Sequence, residues 1–596
     1  MTSLILSRRD IEFMLYEWLN AESLVALPRY ADHSRETFDA VLDLSAEIAT
    51  EHFASHNKKN DANEPWFDGD VVHMIPEVKA ALDIFAEAGL IAAGQDYDLG
   101  GMQLPTLVEK ACFAWFLAAN VGTAAYPFLT IGNANLLLTY GTPEQKQTWV
   151  KPMMDGRFFG TMCLSEPQAG SSLADIRTRA EPDNDGRYRV FGNKMWISGG
   201  EHSLSENIVH LVLARLPDAP PGVKGISLFI VPRHLIEADG TVGEHNDVVL
   251  AGLNHKMGYR GTTNTLLNFG EGKFTPEGKS GAVAYLVGEA NKGLSYMFHM
   301  MNEARIGVGL GAAALGYTGY LHALEYARER KQGRTPGAKD PSQPAVAIIE
   351  HTDVKRMLLA QKAYVEGGLG LNLYCARLID EERTSQGDDK ARATLLLDML
   401  TPVAKSWPSQ WCLEANNLAI QVHGGYGYTR DYNVEQFYRD NRLNPIHEGT
   451  HGIQALDLLG RKVVMQGGLG LDLLLDLIQA TTAQASEVAE LAESGAQLDA
   501  VVYRLADVTR KLHTCGQPAL TMANAAVYLE AFGHTVVAWI WLEQMLAAAG
   551  KSGDFYAGKR QAGRWYFAWE LPRTEQWLNL LSSLDDTCLT MRDNWF

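Results

Sequence analysis

Residues 158–166 read FFGTMCLSE, and the reading of this stretch decides the fold. It opens a series of short apolar, β-rich runs: YRVFGNKMWIS (188–198), NIVHLVLARL (207–216), ISLFIVP (226–232) and TNTLLNF (263–269). Gly, Pro, Asn and Asp separate them, as strand boundaries require. A β region is therefore expected from about 156 to 290. Outside it the spacing is helical. EVKAALDIFAEAGLIAA (77–93) repeats apolar residues at helical intervals. In GTPEQKQTWVKPMM (141–154), Thr142 can cap a helix, Pro143 suits its first turn and Gln145 stands where a capping box needs it. The clearest helix is EARIGVGLGAAALGYTGYLHALEYARERK (303–331). The polar, Pro- and Gly-rich run QGRTPGAKDPSQPA (332–345) should be a surface loop. After Gly467 and Gly468, Ala- and Leu-rich helical spacing runs to the end.

The expected class is α+β in four consecutive segments: helices over 1–155, a β domain over 156–290, a helical bundle over 291–465 and further helices over 466–596. A β domain between helical segments is not a doubly wound dinucleotide fold, which would alternate strand and helix. A length of 596 residues agrees, suggesting three or four domains. The formal charge of −19 (52 basic against 71 acidic residues) argues against nucleic acid as a partner. Cysteines 112, 163, 375, 412, 515 and 588 are scattered and form no C-x-x-C pair. They read as reduced thiols of a soluble, cytoplasmic protein. The most apolar late stretch, GGLGLDLLLDLIQA (467–480), is short and carries Asp472 and Asp476, so no transmembrane segment is expected.

Two motifs mislead. HEGTH (447–451) matches the zinc-binding pattern H-E-x-x-H. That pattern needs both histidines on one helix face. Pro445 lies just before it, Gly449 inside it, and Gln454 breaks the metzincin extension. Asp457 could serve as a third ligand, but nothing marks it out. NPIHEGT reads better as a loop turning into a helix near Thr450, and a zinc hydrolase is the competing reading from a different enzyme class. GVGLGA (307–312) has dinucleotide-fingerprint spacing at Gly307, Gly309 and Ala312, but a Met-rich helical run precedes it where a strand is required. Small residues that let two helices approach explain it better.

MCLSEPQAGSSLADIRTRA (162–180) followed by NKMWISGG (193–200) resembles the flavin-binding pattern of the acyl-CoA dehydrogenase family. YARERKQGR (326–334), QVHGGYGY (421–428) and HEGTHGIQ (447–454) resemble three further family motifs in the expected order. The resemblance covers about residues 80–460. The extra C-terminal helices and the N-terminal SRRDIEFMLYEWL (7–19) are similar to an enlarged branch of the family, which includes broad-range fatty acyl-CoA dehydrogenases and 3-methylmercaptopropionyl-CoA dehydrogenases.

The resemblance implies α,β-desaturation of an acyl-CoA thioester, with a straight-chain substrate of medium or longer length expected and a short methylthio substrate as the specific competitor. A carboxylate removes the α proton while the β hydrogen leaves as hydride to N5 of FAD. A bare carboxylate is a weak base for this proton. The site must raise its pKa by desolvation and acidify the α carbon through the thioester carbonyl. By resemblance Glu448 is that base. Glu303 is a rival, since some family members take the base from this helix. The matching position here is Ala304, and one residue turns a helical side chain by roughly 100°. Met162, Leu164, Ser165, Ser171, Trp196 and Ser198 correspond to contacts with the flavin ring, Ser171 also to one with the thioester, and Thr450 to a further flavin contact. Arg330, Gln421, Gly424 and Gly425 correspond to residues that reach the diphosphate end of FAD across a subunit interface, which implies at least a homodimer. Arg305 corresponds to an arginine beside the CoA pantetheine, with Asn302 where the family often has Asp. Electron-transfer flavoprotein is the implied electron acceptor, and an oxidase on the same scaffold is the nearest alternative. A non-catalytic assembly protein is a third reading, which intact flavin motifs and Glu448 oppose.

Overall fold

The computed structural model describes residues 3–335, 337 and 342–596. Within the 332–345 insert, residues 336 and 338–341 lie outside the described residues, and the others are mostly exposed. The chain gathers into two compact units, 40–104 with 119–304, and 1–39 with 105–118 and 305–596. These units cut across the four consecutive segments expected from the sequence.

In the first unit the β-rich runs form eight strands: β1 (Phe158–Cys163), β2 (Arg179–Pro182), β3 (Tyr188–Ser198), β4 (Asn207–Arg215), β5 (Ile226–Pro232), β6 (Val248–Leu253), β7 (Asn264–Phe269) and β8 (Ala282–Leu286). Their order is β6-β7-β3-β8-β5-β4-β1, with β2 pairing to both β3 and β4. β1 runs parallel to β4, with Met162 opposite Leu211, and β7 runs antiparallel to β3, with Asn264 opposite Ser198. Every residue of β4 but the last is buried, as expected of a central strand covered on both faces. Cys163, Val190, Ile197, Val212, Phe229, Val231 and Leu267 pack into the core of the sheet. β2 was not legible as a strand, because RAEP buries only Ala180 and shows no apolar alternation. In the same unit the capping box forms: Thr142 Oγ1 accepts from the Gln145 N–H, and Gln145 Oε1 from the Thr142 N–H, both at 3.1 Å.

The second unit is helical: α1 (Arg8–Glu12), the C-terminal part of α2 (Gly293–Glu329), α3 (Thr352–Thr384), α4 (Gly387–His423), α5 (His451–Gly460), α6 (Leu469–Ser486), α7 (Ala525–Ala548) and α8 (Asp554–Trp569) are the elements that matter below. Pro402 and Pro408 both lie inside α4. Pro408 has no N–H, so the Ala404 carbonyl loses its regular helical donor. Asn372 Nδ2 of α3 approaches that oxygen at 3.4 Å. α2 also packs there: a Cβ on Gly309 would lie 1.8 Å from the Ala404 oxygen. The glycine of GVGLGA is thus required by helix–helix approach.

Three helical spans among the described residues are long and apolar enough to cross a membrane, at 106–140, 451–486 and 525–548. The most apolar windows of the first and third are 83% buried in protein, so their composition serves the core. The second combines α5 and α6, and its window is only 28% buried. It exceeds the short stretch expected from the sequence, but the helix breaks between: Met465 is extended, and Gln466 and Gly467 have φ of 51° and 72°.

A largely buried ion cluster ties the N-terminus to the C-terminal helices. Lys559 Nζ of α8 lies 2.5 Å from Asp10 of α1 and 2.9 Å from Glu366 of α3, and it donates to Gln544 of α7 at 2.9 Å. Lys362 completes the pairing with Glu366, and Tyr317 donates to Asp10 at 2.9 Å. Burial and the neighbouring Glu366 push the Asp10 carboxyl up, against the two lysines. This cluster accounts for residues 1–39 belonging with the C-terminal helices. Removing one member of a buried ion set typically costs ~3–5 kcal/mol. Lys559→Met should therefore lower the thermal unfolding midpoint sharply, and Asp10→Asn in the same chain should restore part of the loss. An unchanged midpoint would refute the role of the cluster.

Candidate active site

Two groups of side chains correspond to the expected functional residues, one in each unit. In the sheet unit, β1 ends at Cys163 and leads into a loop through Leu164, Ser165 and Ser171. Lys194 of β3 fixes that loop. Its Nζ donates to the Leu164 carbonyl at 2.9 Å and to Glu166 Oε1 at 2.9 Å, and both charged side chains are buried. Burial pushes the Glu166 carboxyl up, but Lys194, the Thr178 hydroxyl and the Arg177 N–H outweigh it and hold it at about 2. The Met195 N–H donates to the Ser165 carbonyl at 2.9 Å, joining β3 to the loop. The next residue, Trp196, has a φ of 66° and leaves its side chain 60% exposed. A left-handed, largely exposed tryptophan is strained and stabilises little by its own packing. Ser198 Oγ accepts from Asn264 at 3.4 Å. Ser171 is exposed; Met162, Leu164, Ser165 and Ser198 are half-buried. An open indole face next to a pinned loop bearing hydroxyls fits a planar ring with a polar edge, such as the isoalloxazine of FAD.

In the helical unit, Glu448 and Gly449 adopt consecutive left-handed conformations, with φ of 53° and 86°. Thr450 then caps α5, its Oγ1 accepting from the Ile453 N–H at 3.3 Å. Two buried side chains hold the carbonyls of the turn. Gln454 Nε2 donates to the Glu448 oxygen at 3.0 Å, and Lys405 Nζ of α4 donates to the Gly449 oxygen at 2.8 Å. Behind the loop stands an asparagine ladder: His447 to Asn444 at 3.0 Å, Asn444 to Asn441 at 2.8 Å and Asn441 to Asn416 at 2.7 Å. It ends on α2 carbonyls, at Leu315 through Asn416 and at Ala312 through Asn441.

Among the described residues no donor hydrogen-bonds to the Glu448 carboxylate. Burial of this group pushes its pKa up, and Arg305 and Lys405 oppose that shift. Arg305 is itself buried, 3% exposed, and pairs with Asp457 at 3.3 Å. Asp457, weighed in the sequence only as a third zinc ligand, supplies the acid that Asn302 does not, and it also pairs with Arg461 at 2.7 Å. Glu303 is placed differently. Its two carboxylate oxygens each accept from Asn135 Nδ2 at 2.9 Å, and Gln95 braces that amide at 2.6 Å.

The zinc arrangement does not form. α5 begins only at His451, so the two histidines do not share a helix face. His447 bonds to Asn444, while His451 pairs with Glu530 of α7 at 3.1 Å. Arg330 is exposed, donating to Gln332 at 3.0 Å. Gln421, Gly424 and Gly425 are exposed where α4 ends, Gly424 with a φ of 63°. Among the described residues, and apart from the adjoining chain, no atom lies within 4 Å of a Cβ added at either glycine.

Family models match in consecutive order: the acyl-CoA dehydrogenase N-terminal domain at 35–157, middle domain at 161–271 and C-terminal domain at 291–463, then an acetyl-CoA dehydrogenase C-terminal-like domain at 474–592. The 3-methylmercaptopropionyl-CoA dehydrogenase of Ruegeria pomeroyi is 36% identical over 558 residues, 92% of each chain. The chain is a member of the acyl-CoA dehydrogenase family. The broad-specificity linear acyl-CoA dehydrogenase FadE5 of Mycobacterium tuberculosis is 32% identical over 611 residues, 99% of each chain. The Caenorhabditis elegans ACDH-11 structure, in complex with C11-CoA, shares the fold with a TM-score of 0.75 at 17% identity, covering 95% of this chain and 94% of that one. The chain is accordingly an FAD-dependent oxidoreductase that dehydrogenates acyl-CoA thioesters.

Lys405, Gln454, Asp457 and the three asparagines were not found by sequence reasoning. The available signal was a lysine in the apolar run TPVAKSWPSQW (401–411) between two prolines, since lysine is almost never fully buried unless paired. The loop pinned by Lys194 gives a prediction. Lys194→Met leaves Glu166 buried without its cation, at a cost of ~3–5 kcal/mol, and releases the Leu164 carbonyl. FAD should dissociate at least tenfold more readily on dilution, read by the rise in free-flavin fluorescence. Retention of FAD equal to wild type would contradict this role.

Proposed function

We propose that Glu448 is the base that removes the α proton of a straight-chain acyl-CoA. The observation that carries this reading is its carboxylate: half-buried in the turn before α5, raised in pKa by burial, without a hydrogen-bond donor among the described residues, and opposed by two cations. Desolvation makes the carboxylate a stronger base. Arg305 and Lys405 keep enough of it ionised to act. The Glu448 N–H helps hold the thioester carbonyl, which acidifies the α carbon. FAD supplies the two-electron acceptor for the β hydrogen. Met162, Leu164, Ser165, Ser171, Trp196 and Ser198 take its ring, with Ser171 also beside the thioester and Thr450 adding a contact from the α5 cap. Arg305, held by Asp457, stands on the substrate side.

Exposed Arg330, Gln421, Gly424 and Gly425 support a homodimer in which each copy completes its partner's FAD diphosphate site. A guanidinium suits that bidentate contact, and two glycines without Cβ atoms let a backbone come close. Electron-transfer flavoprotein is the proposed electron acceptor. Among the described residues the six cysteines form no disulfide, which supports a cytoplasmic location. The relative at 36% identity keeps 3-methylmercaptopropionyl-CoA as the specific competitor for substrate.

Anaerobic flavin bleaching across acyl-CoAs from short to long, with the methylthio substrate included, ranks the candidates. Medium or long straight chains should bleach fastest; a methylthio compound faster than every plain acyl chain would overturn that preference. In the same assay Glu448→Gln should retain FAD and bleach ~10²–10⁴-fold more slowly. Bleaching at the wild-type rate would remove Glu448 from the mechanism.

A further inference from the structure

We infer that Lys405 is a positioning residue for proton abstraction: its side-chain nitrogen grips the peptide next to Glu448, and its positive charge keeps the Glu448 carboxylate in the form that accepts a proton. The inference rests on the assignment of Glu448 as base and adds a second requirement to it.

Three observations carry it. Lys405 is 0% exposed, on α4 between Pro402 and Pro408. A buried lysine ordinarily sits against a carboxylate, yet among the described residues none closes a salt bridge with this one. Its hydrogen bond goes instead to the Gly449 carbonyl, 2.8 Å away. That carbonyl belongs to the second of two consecutive left-handed residues, the first being Glu448. A donor at this point opposes the relaxation of a strained turn.

The charged surroundings fix the sign of the electrostatic effect. Arg305 from α2 and Lys405 from α4 face Glu448, and both favour its ionised form. His447, in the same loop, is bound to Asn444, and burial, with Lys405 adding to it, pushes its pKa down to about 3, so it stays neutral. On α5, Asp457 pairs with Arg305 and Arg461. His451, at the start of α5, pairs with Glu530 of α7. Arg305 is thus already shared with an acid, and Lys405 is the cation without a competing carboxylate. Burial pushes Lys405 down to about 7, with Glu448 pulling it back up and Arg305 adding to the fall. Removing the Lys405 charge leaves Glu448 with one cation, so its pKa rises further. The low-pH limb of the rate profile must then move to higher pH. A neutral donor in place of the lysine would keep the grip and lose the charge.

The test is the pH dependence of anaerobic flavin reduction by acyl-CoA in the FAD-loaded enzyme, for wild type, Lys405→Arg, Lys405→Gln and Lys405→Met. Flavin absorbance and thermal melting confirm that each variant is folded. Lys405→Gln and Lys405→Met should shift the low-pH limb upward by about one unit or more. On that limb they should reduce flavin about tenfold more slowly, and recover as pH rises. Lys405→Arg should keep the wild-type limb, and at high pH Lys405→Gln should recover further than Lys405→Met. A limb unmoved in both neutral variants overturns the inference. So does an equal loss at every pH in all three variants, which a purely structural role would give. Glu448→Gln separates the two claims. If it is slow while the Lys405 variants keep the wild-type limb, only the lysine's role falls. If it reduces flavin as fast as wild type, the base assignment falls and the inference with it.

Discussion

The proposed role of Glu448 depends on one constraint: a carboxylate must be dry enough to be basic and still carry its charge. Desolvation alone would protonate Glu448 and end its usefulness. Arg305 and Lys405 supply the opposing field, and each is limited in turn by its own burial. The balance has no solvated alternative, because water around the carboxylate would restore an ordinary, weaker base.

Much of the surrounding architecture serves to keep that balance in place. Two left-handed residues in succession form a turn that does not hold itself. Gln454 and Lys405 bind its carbonyls, Thr450 caps the helix that follows, and three buried asparagines connect the turn to α2. The same economy appears in the sheet unit, where a second buried lysine, Lys194, binds the Leu164 carbonyl of the loop after β1. In each unit a lysine removed from solvent fixes a loop by its carbonyl, so rigidity and charge arrive in one side chain. Glu530 of α7 reaches His451 at the start of α5, which brings the C-terminal helices into the support of the turn.

The β runs, the helical segments, the capping box at Thr142 and the start of a helix near Thr450 were legible in the sequence because each depends on local chemistry. The order of five motifs made the family legible as well. What escaped was long-range pairing. Nothing near Asp10 announces Lys559, and nothing near Asn302 announces that Asp457 supplies the acid for Arg305. Gly309 could be read as a close-approach residue, but not the Ala404 carbonyl that demands it, since that oxygen is freed by a proline on another helix. Trp196 was legible only through its motif; as an isolated tryptophan it would have been assigned to a core, and it is exposed. The N-terminal 39 residues read as part of one helical domain, whereas the buried ions draw them to the opposite end of the chain.

The most direct test is the titration of the Glu448 carboxyl itself, by infrared difference spectroscopy of the FAD-loaded enzyme, with Glu448→Gln identifying the band. A carboxylic-acid band that titrates above the ordinary glutamate range of about 4.3, and that vanishes in the variant, is the predicted result. A Glu448 band titrating at or below that value, as for a glutamate in open water, would contradict the account.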